Sequence, residues 1–281
     1  MHRDVSGIDA IGRTAFAVAA LRAAEHRSPD GLFTDPYAAH FLRAAGMGPQ
    51  WEAGADFAAV MRTQAVVRTR FFDEGLLAAA DQGCRQVVLV ASGMDSRPWR
   101  LTWPADTEVF EIDQDPVLRF KNAVMDEHAG PTVVARHPVA VDLREDWAAA
   151  LHARGFDENS PTAWLVEGLL YSLDAPAADR LLSTLTRISA PGSTLAFDHF
   201  EIGPTLRAAT DRIDPGLTGL WQSGPADPAA WLKSHDWLAD VHELAHIAAE
   251  FDRTVHPAYV PGPAAEGHSW LVTAVRPNPA A

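Results

Sequence analysis

From Gln86 onward the chain repeats one pattern, a short run of β-branched, aromatic and aliphatic residues followed by a stretch of helical character. The runs span residues 86–91, 107–113, 139–141, 162–167, 193–198 and 270–275. Strands that alternate with helices pair in parallel, because the helix supplies the long crossover that a parallel connection needs. The chain is therefore expected to be an α/β protein with a doubly wound, mostly parallel sheet and helices on both faces. The run from Val87 to Ala91 is apolar without interruption, as a central strand buried on both sides requires.

The first 80 residues read differently. Residues 14–25 are rich in Ala and Leu and free of Gly and Pro, which favours helix. Asp35-Pro36 is a helix start, since Asp caps free N–H groups and Pro suits the first turn, and it predicts a helix over 36–45. A third helix is expected over 57–80, carrying Arg62, Arg68 and Arg70. The domain reading is a helical N-terminal segment over 1–80 and a sheet domain over 81–281, one structural unit overall. Residues 204–228, rich in Pro and Gly, are expected to form an irregular insertion late in the sheet.

With 23 Lys and Arg against 37 Asp and Glu, the formal charge is −14, which disfavours nucleic acid and anionic membrane surfaces as partners. No apolar stretch has the length of a membrane span or a secretory signal. Cys84 is the single cysteine, so no intrachain disulfide or thiolate metal cluster can form, and a cytoplasmic location is the expectation. Oligomeric state is not legible.

In open α/β sheets, ligands bind beyond the carboxyl ends of the strands, where the strand order reverses. The first strand run opens into Ala91-Ser92-Gly93-Met94-Asp95-Ser96, whose small residues allow close approach of a ligand to the backbone. The second ends in Glu111-Ile112-Asp113, and a carboxylate some 20 residues beyond such a turn can accept both hydroxyls of a ribose. Dinucleotide sites place a pyrophosphate on a Gly-x-Gly-x-x-Gly turn. Here the turn has one glycine and an acid, Asp95, where a diphosphate would sit, so a cofactor without phosphate fits better, and S-adenosylmethionine meets that description.

The sequence Gln86-Val-Val-Leu-Val-Ala-Ser-Gly-Met-Asp-Ser-Arg-Pro-Trp-Arg-Leu101, with Phe110-Glu-Ile-Asp113 and Lys121, resembles the leucine carboxyl methyltransferase family, in particular its actinobacterial branch of S-adenosylmethionine-dependent methyltransferases. Thr34-Asp35-Pro36-Tyr37, Arg68-Thr-Arg-Phe-Phe-Asp73, Val141-Asp142-Leu143-Arg144 and Glu167-Gly-Leu-Leu-Tyr171 extend the resemblance in order along nearly the whole chain. It implies a Rossmann-like class I methyltransferase fold with the N-terminal helices as part of a lid, and S-adenosylmethionine as cofactor. Position by position, it implies that Arg68 binds the carboxylate of the cofactor's methionine part and that Ala91 and Gly93 form the turn beneath it. It further implies that Asp113 binds the ribose, Asp142 and Leu143 recognise adenine, and Glu167 lies near the methionine amino group. Arg22 matches an N-terminal basic residue of the lid more loosely. The family's usual first glycine of the turn is Ala91 here. On local sequence alone, Arg68 reads equally as a solvated helix charge and Asp142 as a cap for residues 143–150.

A rival motif is His242-Glu243-Leu244-Ala245-His246, the His-Glu-x-x-His pattern of zinc metalloproteases, with Glu266 as a third ligand. Were the segment helical, Leu244, Ile247, Ala248 and Phe251 would form its apolar stripe and turn both histidines towards water, away from the cleft a protease needs. In the resembled family the region is a strand leading into a helix. No metal site is therefore expected. A Gly-x-Ser-x-Gly elbow is absent, and Cys84 has no adjacent base.

Methyl transfer is a direct displacement for which alignment matters most. The expected function is O-methylation of a carboxylate or hydroxyl on a small molecule or short peptide. An ionised carboxylate needs no base, whereas a phenol benefits from one. His199 is the candidate base, and Tyr171 borders the same pocket. The other readings are a zinc protease using His242, Glu243 and His246, and a catalytically silent S-adenosylmethionine-binding module.

Overall fold

The computed structural model describes residues 2–47, 55–213, 219–222, 225–261 and 267–278. Three helices come first: α1 (Ala10–His26), α2 (Ala38–Ala44) and α3 (Ala55–Asp81). Asp9 caps α1 by accepting from Gly12 N at 2.8 Å. The Asp35 carboxylate accepts from Tyr37 N and Ala38 N at 3.2 and 3.1 Å, so the expected cap operates at the start of α2.

Seven strands follow: β1 (Gln86–Val90), β2 (Glu108–Asp113), β3 (Ala135–Ala140), β4 (Thr162–Val166), β5 (Thr194–Phe200), β6 (Leu238–Glu243) and β7 (Ser269–Val275). They form one sheet in the order β3-β2-β1-β4-β5-β7-β6. The first five are parallel, and β7 runs antiparallel to both β5 and β6. The intervening helices include α4 (Arg97–Arg100), α5 (Asp115–His128), α6 (Trp147–His152), α7 (Ala175–Arg187), α8 (Pro204–Ile213), α9 (Pro228–Ser234) and α10 (Leu244–Glu250).

The side chains of each strand alternate between two cores. Val87, Leu89, Val109 and Leu165 pack under Met61, Val67 and Leu76 of α3, while Val88, Val90, Phe110 and Val166 pack under Leu151 of α6 and Leu182 of α7. Each such buried side chain contributes about 1.5–3 kcal/mol relative to exposure. A third cluster joins Phe16 of α1, Phe41 of α2 and Phe120 of α5, which seats the N-terminal helices on the sheet domain. Two strands depart from the expectation. β3 begins at Ala135, before the apolar residues, and includes Pro138, which is tolerated because β3 is an edge strand with one unpaired side. β6, the other edge, is absent from the apolar runs, because Leu238-Ala-Asp-Val-His-Glu243 has few of the residues that mark a buried strand, and only the family resemblance implies a strand leading into a helix there. Part of residues 204–228 lies outside the described residues, and α8 occupies its beginning. No described helix is long and apolar enough to cross a membrane.

Candidate active site

The strand order reverses between β1 and β4, and a cavity of about 1010 Å³ opens at the carboxyl ends of the strands there. Its floor is the turn after β1. Ala91 and Gly93 both adopt left-handed backbone, with φ of 52° and 44°. Gly93 N donates to Asp113 Oδ2 at 2.6 Å, Gln114 N donates to Asp113 Oδ1 at 2.7 Å, and Lys121 Nζ donates to Ser92 Oγ at 3.1 Å. The turn and the end of β2 are thus one hydrogen-bonded unit. Burial raises the Asp113 pKa, and the two backbone N–H groups oppose that shift. A Cβ on Gly93 would lie 3.0 Å from the Ala15 Cβ, so α1 closes tightly over the turn and a side chain there would have to push it back.

Next to this floor lies a buried ionic network. Glu167, just after β4, accepts from Arg22 of α1 at 3.0 Å, from Arg68 Nε at 3.1 Å and from Arg97 at 2.7 Å. Arg68 also donates to Asp198 of β5 at 2.8 Å, which accepts in turn from Gly168 N at 2.6 Å and Gln64 Nε2 at 3.1 Å. Arg97 reaches Asp73 at 2.6 Å and Asp95 at 2.5 Å, and Arg100 pairs with both Asp73 oxygens. Arg22, Arg68, Arg97 and Arg100 balance Asp73, Asp95, Glu167 and Asp198, so the cluster carries no net charge although the chain as a whole is acidic. Burial alone would raise the Glu167 pKa, but Arg97, Arg22 and Arg68 hold it far below the usual carboxylate range. Arg68 is only 2% exposed, so it is not a solvated helix charge. Asp95 faces the cavity already neutralised by Arg97, so the repulsion expected between it and a diphosphate is weaker than the sequence implied.

Two polar atoms on cavity-lining residues are buried without a hydrogen-bond partner, Arg22 Nε and Gln64 Oε1. Buried polar atoms are rarely left unpaired, so both suit a bound ligand. The Arg22 N–H, beside Arg68, matches an amino-acid carboxylate, and the ionised Glu167 matches the neighbouring ammonium. Asp142 and Leu143, after β3, line the far side of the cavity. The bonds from Arg144 to Asp142, at 2.9 and 2.5 Å, hold its carboxyl down at about 2. Asp142 is not the cap of α6, because Asp146 fills that place by accepting from Ala149 N at 3.1 Å.

Tyr171 also lines the cavity, stacked on Phe200 with ring centroids 4.2 Å apart. Burial pushes its phenol up to about 12, so it stays neutral. His199 is a correction to the sequence reading. Period-two alternation sends Asp198 to the cavity side of β5 and His199 to the opposite side, where it is 3% exposed, stacked on Trp270 and absent from the cavity lining. Burial lowers its pKa to about 4, which leaves it a weak base as well as a distant one. His242 and Glu243 end β6 whereas His246 belongs to α10, so the two histidines share no helix face. Glu243 is engaged with His268 at 2.6 Å and His242 with Asp240 at 3.3 Å. Glu266 lies outside the described residues, and among the described residues no cluster of three metal-ligating side chains occurs. Sequence reasoning missed Gln64, Arg97 and Asp198. Arg97 had a visible signal in Ser96-Arg-Pro-Trp-Arg100, but nothing in a linear pattern places Gln64 against Asp198, 134 residues away.

Residues 15–186 match the family described as leucine carboxyl methyltransferase. The chain belongs to that family. Among its relatives, a protein of Mycolicibacterium smegmatis is 41% identical over 289 residues, covering 95% of each chain. One of Mycobacteroides abscessus is 40% identical over 255 residues, covering 82% of this chain and 84% of the relative. Both carry the name "Putative S-adenosyl-L-methionine-dependent methyltransferase". The fold is similar to a crystal structure of a "putative methyltransferase" from Thermobifida fusca, with a TM-score of 0.60, 17% identity, and 98% of this chain and 100% of that chain covered.

Proposed function

We propose that this S-adenosylmethionine-dependent methyltransferase transfers the methyl group to an oxygen, a carboxylate or hydroxyl, of a small molecule or short peptide. The observation that carries the reading is the unpaired Arg22 Nε beside Arg68 and Glu167, next to the Ala91–Gly93 turn and Asp113. These groups complement an amino acid at one end and a ribose at the other. S-adenosylmethionine supplies a methyl carbon already activated by its sulfonium.

The residues then act by binding and orientation. Arg22 and Arg68 hold the methionine carboxylate, Glu167 its ammonium, Asp113 the ribose hydroxyls, and Asp142 with Leu143 the adenine. α1 acts as a lid, since one face of it between Ala10 and Arg22 lines the cavity. Glu167 and Asp95 are held ionised by arginines and Tyr171 is held neutral, so the lining offers alignment in preference to a strong base. The acceptor oxygen's lone pair forms the new C–O bond while the C–S pair returns to sulfur, and a hydroxyl acceptor releases its proton to water.

Two measurements test this. Asp113→Ala should weaken binding of S-adenosylhomocysteine by more than about tenfold in a calorimetric titration, as the loss of charge-assisted bonds to two hydroxyls implies. Unchanged binding removes the ribose assignment. Incubation with labelled methyl donor and candidate acceptors should yield a base-labile methyl ester or a base-stable methyl ether, and a product labelled on nitrogen or carbon would overturn the oxygen acceptor.

A further inference from the structure

Lys121 of α5 is fully buried and stands outside the cavity lining, yet it is bonded to the turn that floors the cavity. Its Nζ donates to Ser92 Oγ at 3.1 Å, to the Ser92 carbonyl at 3.4 Å and to Glu111 Oε1 at 2.5 Å. Three acceptors match the three N–H bonds of an ammonium, so the group is charged where it lies. The other oxygen of Glu111, a side chain without exposed surface, accepts from Arg136 Nε of β3, and Arg136 also donates to Asn122 Oδ1 at 2.6 Å. Two cations therefore meet one carboxylate, and this cluster behind the turn carries one positive charge in surplus.

The surplus faces one carboxylate that lacks a cation of its own. Glu111 lies two residues before Asp113 on β2, so the two project to the same side of the sheet. Asp113 accepts from two backbone N–H groups and forms no ion pair among the described residues. The charged groups on the elements around it are otherwise committed. Asp95 on the β1 turn pairs with Arg97, Asp142 beyond β3 with Arg144, and Asp115 at the start of α5 with Arg119, while Arg13 of α1 donates to the Ile8 carbonyl. Asp9, which caps α1, adds like charge. Burial raises the Asp113 pKa and the two backbone N–H groups lower it, and Lys121 is the cation that lowers it further against the opposing effect of Asp9.

We infer that Lys121 is a positioning residue of the cofactor site, which from behind the turn supplies the countercharge that keeps the Asp113 carboxylate able to accept two ribose hydroxyls. The inference rests on the assignment of Asp113 to the ribose and adds the group that maintains it. A protonated Asp113 would carry a donor of its own and lose part of its acceptor capacity. The same ammonium pins Ser92 between Ala91 and Gly93, the two residues held in left-handed backbone, and so sets Gly93 N against Asp113. This role has a sign that packing alone lacks. The charges of Lys121 and Glu111 act on Asp113 in opposite directions, whereas removing either one weakens the fold.

The test follows the affinity of the full chain for S-adenosylhomocysteine by equilibrium dialysis from neutral to acid pH, with circular dichroism confirming the fold at each point. Affinity should fall as Asp113 takes up a proton, and Asp113→Asn, which cannot titrate, should lack that acid limb. Lys121→Met should move the limb to higher pH, so that at the wild-type midpoint the variant has lost at least about threefold more affinity, relative to its neutral plateau, than the wild type. Glu111→Gln keeps an acceptor for Lys121 and enlarges the surplus, and it should move the limb to lower pH. Limbs that do not move, or that move the same way in both variants, would overturn the inference even where both variants are less stable, and Glu111→Gln decides alone if Lys121→Met does not fold. An Asp113→Asn protein that keeps the wild-type limb overturns the ribose assignment itself, and the inference with it.

Discussion

Ala91 adopts left-handed backbone with a φ of 52°, a region that glycine enters without strain. A side chain in left-handed backbone costs about 1–2 kcal/mol, because Cβ crowds the following carbonyl. Glycine would relieve that strain while increasing the freedom of the unfolded chain by up to about 1 kcal/mol. Ala91→Gly is therefore expected to leave stability unchanged or raise it by up to about 1 kcal/mol, measured by denaturant unfolding, and to bind S-adenosylhomocysteine at least as tightly. A loss of stability above about 1 kcal/mol would mean that the methyl packs more usefully than its geometry implies. The tolerance of alanine here could not be read from the sequence, because it depends on a dihedral angle and on what faces the methyl group.

The ionic network ties secondary-structure elements together. Arg97 of α4 has no exposed side-chain surface, and it joins Asp73 of α3, Asp95 of the β1 turn and Glu167 beyond β4. Removing one partner of a buried charge pair strands the others, which typically costs about 3–5 kcal/mol, far more than the net contribution of an intact pair. Arg97→Met should destabilise the protein by about that amount, and it should weaken S-adenosylhomocysteine binding because Glu167 loses its shortest bond. A variant of full stability would show that the network carries little weight. The strands β1, β2, β4, β5 and β7 were legible from their apolar runs, α1 from its Ala- and Leu-rich composition, α2 from its Asp35-Pro36 start and α3 from a stretch of helical character interrupted by no Pro. β3 was legible only at its apolar end and β6 only through the family resemblance, since edge strands pair on one side only and need fewer apolar residues. At β6, the His-Glu-x-x-His pattern crosses a strand-to-helix boundary, a context that five letters do not report.

Across the molecule, pH acts through groups the fold has buried. His199 titrates near 6.5 when unfolded and near 4 when folded, so between these values the unfolded state holds the extra proton. Stability from this residue is complete above about 6.5 and is lost as pH falls towards 4. The loss is on the order of 3 kcal/mol at most, from 1.36 kcal/mol per tenfold. His199→Phe, which keeps a ring against Trp270, should make the fall in melting temperature between pH 6.5 and 4 shallower, whereas an unaltered slope would show that His199 is not a source of acid sensitivity.

The order of apolar runs, the carboxylate that follows the first turn and the family motifs were all local, and local patterns suffice for the fold class and for bringing Ala91, Gly93, Asp113 and Glu167 forward as candidates. Direction was not local. Whether a side chain on β5 meets the cavity or the opposite core depends on a one-residue alternation, and that alternation separates Asp198 from His199. The pairing of Gln64 with Asp198, and the oxygen it leaves open, arises only when α3 is laid across β5, because a hydrogen bond depends on distances that no linear spacing contains.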